Sequence, residues 1–141
     1  MSSKHQGRRS SIVKEIFGMA AHRLIEFGVP NEDGLIVQRH DADASKEAIC
    51  LLSEPSNEYK IKHEEIAGTA RTIFMPDGLY VSVIPWPGSR GDLLRKAMQV
   101  GVEFIPCGTG GVDENGYVWD YKLLYFYLNL KKHEHTDRNP I

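Results

Sequence analysis

Cysteine is scarce in this 141-residue chain, and its placement excludes two common classes of small protein. Only Cys50 and Cys107 are present, far apart and outside any Cys-x-x-Cys pair. Two such residues supply neither a disulfide framework nor a four-thiolate zinc site. We therefore expect a domain that is stabilised by its apolar core and located in a reducing, cytoplasmic compartment.

Long apolar runs and a large net charge are also missing. No stretch approaches the roughly 18 apolar residues of a membrane-spanning helix, so no membrane partner is expected. The 17 Lys and Arg residues nearly balance the 19 Asp and Glu residues, which gives a formal charge of −2. Such a balance produces no field that would attract nucleic acid. The basic clusters that stand out lie near the two ends, at Lys4, Arg8, Arg9, Lys131 and Lys132.

Common catalytic and nucleotide-binding motifs are absent. The Gly- and Ser-containing stretch 87–92 has neither the Gly-Lys-Ser/Thr end of a P-loop nor the Gly-x-Gly-x-x-Gly of a dinucleotide fold. No His is tied by sequence to Cys107, so a Cys-His catalytic pair is not indicated. The sequence therefore predicts no cofactor and favours a binding domain over an enzyme.

What the chain does contain is a central stretch, residues 71–106, with a complete set of local folding signals. Two apolar runs, 73–75 and 80–84, flank Pro76-Asp77-Gly78 and predict a β-hairpin whose glycine has a positive φ. Ser89 is the predicted N-cap of a helix that begins near Arg90. Gly101 is expected to end this helix in a left-handed conformation.

The N-terminal region predicts a second helix. Residues 1–10 are polar and are expected to be disordered. Between residues 11 and 27, apolar residues recur at helical spacing, and Gly28 and Pro30 are expected to end the helix. The sparse acidic residues before position 25 also fit an organelle transit peptide, although a tail leading into a surface helix is the preferred interpretation.

Several strands are predicted around these helices. The apolar runs that favour them are residues 35–39, 46–53, 59–62, 102–105 and 117–130. Segment 46–53 also fits a helix, and segment 107–116 is expected to be a flexible loop ending in an Asn-Gly turn. The aromatic strand 117–130 is apolar on both faces, which suits a core strand, a subunit interface or a pocket wall.

Together these elements predict a single α+β domain over residues 11–130. Its sheet is expected to be mostly antiparallel, with five to six strands and two main helices packed on one face. Residues 131–141 form a charged tail that is expected to be frayed.

Two groups of residues are candidate ligand sites. His40, Asp41 and Asp43 combine an imidazole and two carboxylates, which is the ligand chemistry of a divalent metal, although turn formation also explains these residues. The helix start at Ser89 and Arg90 offers free amides to an anion.

Aromatic residues complete the set of candidates. Trp86 and Tyr125 are the residues expected to line a small-molecule pocket beside the sheet.

The preferred functional hypothesis is a small binding domain that self-associates as a dimer through strand 117–130, with a small-molecule pocket as a second feature. One alternative is a metal-dependent phosphoester hydrolase that uses His40, Asp41 and Asp43. A second alternative is binding of a small anionic ligand at Ser89 and Arg90.

Overall fold

The computed structural model describes residues 12–129, which form eight strands, one α-helix and two short 3₁₀ turns. The strands are β1 Val13–Ile16, β2 Met19–Glu26, β3 Ile36–Val37, β4 Ala42–Leu51, β5 Ile66–Met75, β6 Gly78–Pro85, β7 Phe104–Val112 and β8 Tyr117–Leu128. The helix, α1, is Ser89–Val100, and the 3₁₀ turns are Arg39–Asp41 and His63–Glu65. The tails that were predicted to be disordered or frayed, residues 1–10 and 131–141, lie outside the described residues.

All eight strands belong to one mixed sheet. Its hydrogen-bonded order is β1-β2-β6-β5-β4-β8, while β7 pairs antiparallel with β8, and β3 pairs parallel with the first residues of β8. The β4–β8 pair is also parallel, whereas β7 and β8 form an antiparallel hairpin. The predicted fold class is therefore wrong: residues 12–129 contain one main helix rather than two, and the sheet is larger than five or six strands and not purely antiparallel.

The predicted N-terminal helix is wrong because residues 13–26 form the hairpin of β1 and β2. Phe17 and Gly18 have φ values of +52° and +78°, as in the two-residue turns that suit tight hairpins. Along the supposed helical stripe, Val13 and Phe17 are exposed, whereas Ile16 is buried. Gly18, in the middle of the stripe, was the signal against a helix, because its positive φ is incompatible with continued helical geometry.

The central stretch folds largely as its signals predict, with two local corrections. The hairpin of β5 and β6 is confirmed, but Gly78 lies in β6 without a positive φ. A Cβ at Gly78 would lie 2.3 Å from the carbonyl oxygen of Ile25, so glycine permits close strand approach instead. The N-cap of α1 is Gly88, not Ser89, which is the first helical residue. Gly101 ends the helix with φ +86°, as predicted.

The remaining strand predictions were partly correct. Segment 46–53 lies mostly in β4, which settles its ambiguity in favour of a strand, whereas segment 59–62 contains no strand. The Asn-Gly turn is confirmed by Gly116, whose φ is +90°.

The predicted flexible loop 107–116 is instead mainly strand β7. Its glycines make room for aromatic rings from β8. A Cβ at Gly111 would lie 2.1 Å from the indole of Trp119, and one at Gly108 would lie 2.5 Å from the ring of Tyr121. Glycine in a strand interior commonly marks such a close approach. The glycine-rich composition of this segment therefore serves packing against the neighbouring strand.

The aromatic strand β8 contributes mainly to the core. Its buried residues are Val118, Leu123, Tyr125, Phe126 and Leu128. Strict alternation fails because Asp120 has φ +54° and the register shifts within the pairings with β4 and β7. Tyr117, Trp119 and Leu124 remain exposed.

The core also explains how the two distant strands β2 and β7 come together. α1 contributes Leu94, which is fully buried, and packs against β5 and β6. The ring of His22 in β2 meets Phe104 in β7 edge to face, with centroids 5.1 Å apart. These strands are not hydrogen-bonded neighbours in the sheet, so the curved sheet leaves an opening between them. Within residues 12–129, no helix is long and apolar enough to cross a membrane.

Candidate functional site

An open groove of about 830 Å³ lies between the end of β2 and strand β7. We call it the β2–β7 groove. It is lined by residues 23–26 of β2, residues 29–33 of the following segment, residues 103–110 along β7, and side chains from β8. The groove therefore brings together parts of the chain that are about eighty positions apart, because the sheet curves.

One wall of the groove is a strand edge. Among the described residues, β7 pairs only with β8. The Asn129 amide N donates to the Glu103 carbonyl oxygen at 3.1 Å. Since backbone groups alternate between the two sides of a strand, the N–H and C=O of the next residue, Phe104, face the groove. Pro106 fits this edge position because it has no N–H to lose from a ladder.

The opposite wall has a similar character. β1 pairs with β2 only along residues 19–22. Past Arg23, whose amide N donates to the Ile12 carbonyl oxygen at 2.9 Å, the outer side of β2 has no ladder partner within residues 12–129. The groove is thus bordered on both sides by strand segments that can accept further pairing.

The floor of the groove is apolar and well packed. Leu24 and Phe104 are 5% and 4% exposed, and Phe104 also meets Phe126 edge to face at a centroid distance of 5.1 Å. Tyr121 contributes its ring from β8. Burial raises the pKa of the Tyr121 hydroxyl, so this residue stays neutral near physiological pH.

The rim of the groove is acidic. Its carboxylates come from three separate regions of the chain, namely Glu26, Glu32, Asp33, Glu58 and Glu103. The one basic residue in the lining is Arg23, whose guanidinium is 3.2 Å from Asp77 and 3.4 Å from Glu26. Since these two contacts already balance its charge, the rim presents an excess of negative charge.

Asp77 anchors this end of β2 to the neighbouring hairpin. One carboxylate oxygen, Oδ2, accepts hydrogen bonds from the Tyr80 hydroxyl at 2.8 Å and from Arg23 at 3.2 Å, and Lys14 is 3.5 Å away. Desolvation works to raise the pKa of Asp77, but the hydrogen bonds from Tyr80 and Arg23 and the charge of Lys14 outweigh it and lower the pKa. Arg23 is thereby held in place beside the groove.

His22 is buried where β2 approaches β7. It is 5% exposed, and its Nδ1 has no hydrogen-bond partner among the described residues. Burial lowers the pKa of this imidazole, because the charged form would lose its hydration. His22 therefore acts here as a neutral packing residue against Phe104.

Cys107 lies in the groove wall beside Tyr125. Burial raises the pKa of the Cys107 thiol, the hydrogen bond with Tyr125 lowers it in part, and the carboxylates of Glu54 and Glu58 raise it further. The pKa of Tyr125 is also raised, first by desolvation and then by its contact with Cys107. Both groups are protonated at neutral pH, so they offer polar contacts rather than a nucleophile or a base.

Of the residues predicted as sites from the sequence, only Tyr125 lines this groove. Trp86 is half-buried after β6, with its ring 5.3 Å from that of His63. Ser89 and Arg90 are exposed at the start of α1, whose N-cap is Gly88 and has no side-chain capping hydrogen bond. Anion binding there stays a prediction.

The predicted metal ligands lie together in a different place. His40 Nε2 is 3.3 Å from Asp41 Oδ2, and His40 and Asp43 line a smaller concavity with Arg39 and Phe74. Asp43 Oδ1 accepts a hydrogen bond from the amide N of Ala44 at 2.8 Å. Across residues 12–129, no group of three or more His, Cys, Asp or Glu side chains is arranged to hold a metal ion. The metal site stays a prediction.

The residues that form the groove were not identified from the sequence. Leu24 was assigned to a helix, and Glu26, Phe104 and Glu103 were treated as ordinary positions in local elements. The available signal was Pro106 next to Cys107 and a run of glycines, which is the composition of an edge strand that packs closely against a neighbour. No family model, curated protein or solved structure matches the chain.

Proposed function

We propose that this protein is a binding domain whose β2–β7 groove receives an extended polypeptide segment with basic side chains, which pairs with β7 as an added strand. The observation that carries the proposal is the edge of β7, which faces an apolar groove with an acidic rim. Strand addition of this kind is a common mode of peptide recognition, in which main-chain hydrogen bonds supply affinity and flanking pockets supply specificity.

The dimensions of the groove support an extended ligand. Residues 104–109 line it continuously. Six residues of strand span about 20 Å at roughly 3.3 Å per residue. An added segment of five to seven residues would cover this edge while its alternate side chains face Leu24 and Phe104. A compact ligand would leave part of the exposed edge unpaired.

The charges of the rim support a basic ligand. Three of its five carboxylates, those of Glu32, Asp33 and Glu58, make no ion pair with a Lys or Arg side chain within residues 12–129. Lys or Arg side chains of an incoming segment would meet these groups at the edge of the groove. Complementary charge mainly favours association rate and choice of partner, and its effect weakens with salt.

The protonation of the groove supports binding rather than catalysis. Cys107, Tyr121 and Tyr125 have raised pKa values, so none of them supplies a thiolate or phenolate near neutral pH. Such groups serve well as hydrogen-bonding and packing contacts for a bound chain.

The proposal is tested with a labelled heptapeptide of alternating Val and Lys, titrated by fluorescence anisotropy at low and high salt. We expect micromolar binding that weakens by about tenfold or more between 50 mM and 500 mM salt. A peptide with Glu in place of Lys should not bind. The combined substitutions Glu32→Gln and Glu58→Gln should weaken binding, whereas the control Glu114→Gln, at an exposed turn outside the groove, should not. Equal affinity of all variants would overturn the proposal.

Self-association through β8 is the second candidate function. The observation favouring it is the exposed apolar surface of Tyr117, Trp119 and Leu124, which are 41%, 53% and 45% exposed. Sedimentation equilibrium should then show a dimer that dissociates when Trp119→Ser is introduced. A monomer at high micromolar concentration would exclude this candidate.

The proposal includes a cytoplasmic location. Both cysteines are free thiols, and Cys50 is buried in the core, which suits a reducing compartment.

A further inference from the structure

The two walls of the β2–β7 groove run in the same direction. Along the hydrogen-bonded order from β2 to β7, the sheet contains four antiparallel pairings and one parallel pairing, so the chain direction reverses an even number of times. His22 in β2 meets Phe104, the first residue of β7, and both strands continue from this contact along the groove. A strand added between them is therefore antiparallel to both walls or parallel to both.

Hydrogen bonding favours the antiparallel direction. In an antiparallel ladder the inter-strand hydrogen bonds are perpendicular to the strands, whereas the slanted bonds of a parallel ladder are slightly less stable per residue. The difference counts twice here, because the added strand has a wall on each side. In the antiparallel direction the N-terminal end of the added strand lies beside Gly110 of β7, and its C-terminal end lies beside Phe104.

The end of the groove at Gly110 is acidic. The turn at residues 31–35 lies next to the turn between β7 and β8, because the amide N of Ile36 donates to the carbonyl oxygen of Gly116 at 2.8 Å. This turn carries Glu32 and Asp33, which line the groove and make no ion pair with a described Lys or Arg side chain. We call this the acidic end of the groove.

The opposite end of the groove is apolar and has its charges balanced. Leu24 and Phe104 are buried there and form the floor. The guanidinium of Arg23 lies beside them and is already in contact with two carboxylates. The carboxylate of Glu103 accepts a hydrogen bond from the side-chain amide of Asn129 at 3.4 Å. We call this the apolar end, and the groove thus differs in charge along its length.

We propose that the external segment enters the groove antiparallel to β7, with basic side chains in its N-terminal half and apolar side chains in its C-terminal half. This inference rests on the proposed function of the groove, and it adds the direction of binding and the order of the ligand's residues. The N-terminal half then meets Glu32 and Asp33 at the acidic end, whereas the C-terminal half covers Leu24 and Phe104 at the apolar end.

The first test compares two unlabelled heptapeptides of identical composition and opposite order, Lys-Val-Lys-Val-Ala-Val-Ala and Ala-Val-Ala-Val-Lys-Val-Lys. Both are acetylated and amidated, so that their ends carry no charge. Each peptide competes with the labelled Val-Lys heptapeptide in fluorescence anisotropy. We expect the peptide whose Lys residues come first to bind at least about fivefold more tightly. Equal affinity, or tighter binding of the opposite order, would overturn the inference.

A charge variant shows whether the acidic end causes this preference. Glu32→Gln combined with Asp33→Asn removes the charge at that end, so the preference should fall below about twofold. The matched control, Glu47→Gln combined with Glu64→Gln, removes two exposed carboxylates outside the groove and should keep the preference. An unchanged preference in the Glu32/Asp33 variant would overturn the assignment of the basic half to this end.

A second measurement determines the direction itself. The alternating Val-Lys heptapeptide has the same sequence in both directions, so a nitroxide at either end reports direction without a change of side chains. The nitroxide is attached through an amide, because Cys107 lies in the groove wall and would exchange with a disulfide-linked label. In nuclear magnetic resonance spectra of the protein, the N-terminal nitroxide should broaden the amide signal of Gly110 most strongly, and the C-terminal nitroxide that of Phe104.

The outcomes separate this inference from the proposed function. Binding with the opposite pattern of broadening, or with the same pattern from both labels, overturns the direction and leaves the proposed function standing. Failure of all the peptides to bind overturns the proposed function and the direction together. Broadening confined to residues 117–119 of β8 places the peptide outside the groove and also overturns both.

Discussion

Replacing Phe104 with Ala should strongly destabilise the protein and detach β7 from β2. Phe104 is 4% exposed and meets His22 and Phe126 edge to face, each with a centroid distance of 5.1 Å. Removal of a buried Phe ring costs about 3–5 kcal/mol through lost burial and the cavity left behind. A loss of this size would lower the midpoint of urea unfolding by on the order of 2 M.

Two companion variants make the Phe104 experiment specific. Phe104→Leu keeps apolar volume but loses both aromatic contacts, so it should cost about 1–2 kcal/mol. Val112→Ala changes an exposed residue of the same strand and should cost below about 1 kcal/mol. Stability is measured by urea titration with circular dichroism and tryptophan fluorescence. A cost of less than about 1 kcal/mol for Phe104→Ala would refute the packing of β7 against β2.

Three further predictions follow from the titratable groups. Because the pKa of His22 is lowered in the folded protein, the unfolded state binds a proton at a higher pH than the folded state does. The free energy of unfolding should therefore fall as pH drops below about 6.5, by at most about 1.4 kcal/mol per pH unit. His22→Leu should abolish this fall in urea titrations at a series of pH values. The lowered pKa of Asp77 adds stability that is present above about pH 4 and lost below it. Asp77→Asn should lower the free energy of unfolding by up to about 1 kcal/mol at pH 7, a small value because the group is partly exposed. The same variant should show a weaker loss of stability with falling pH below about 4. Thiol labelling followed by mass spectrometry should modify Cys107 in the folded protein, and the labelling should become faster as pH rises above about 9. Cys50, which is buried, should be labelled only when the protein unfolds. Equal labelling of both cysteines would contradict their different burial.

Local signals in the sequence were sufficient to predict the turns and the helix end, because the geometry of these elements depends on residues that are adjacent in the chain. The Pro76-Asp77 turn, the helix ending at Gly101 and the Asn115-Gly116 turn all formed where they were expected. In each case one or two residues with restricted or special backbone preferences decide the outcome. Such decisions do not depend on the rest of the fold.

The first hairpin shows where periodicity misleads. Apolar residues between 13 and 27 match a helical stripe, yet Val13 and Phe17 lie on the surface while Arg23 and His22 are buried. Burial of these polar residues depends on Asp77 and Phe104, which come from distant parts of the chain. Tertiary partners therefore override the local pattern, as is common for short elements.

The candidate site could not be predicted from the sequence for a related reason. The β2–β7 groove joins the end of β2 to β7, and its walls are strand edges that have no ladder partner within residues 12–129. Glu26 and Glu103 line the same groove only because the sheet curves until His22 meets Phe104. The residues singled out for their chemistry, such as His40 and Asp43, remained in a separate concavity.

The most direct test of the central claim is amide hydrogen exchange along β7 in the presence of saturating Val-Lys heptapeptide. If the peptide adds to β7 as a strand, the amides within residues 104–109 that face the groove, such as that of Phe104, should exchange at least about tenfold more slowly, while those of β5, in the middle of the sheet, should not change. Protection confined to residues 117–119 of β8, or no protection at all, would contradict the assignment of this groove as the binding site.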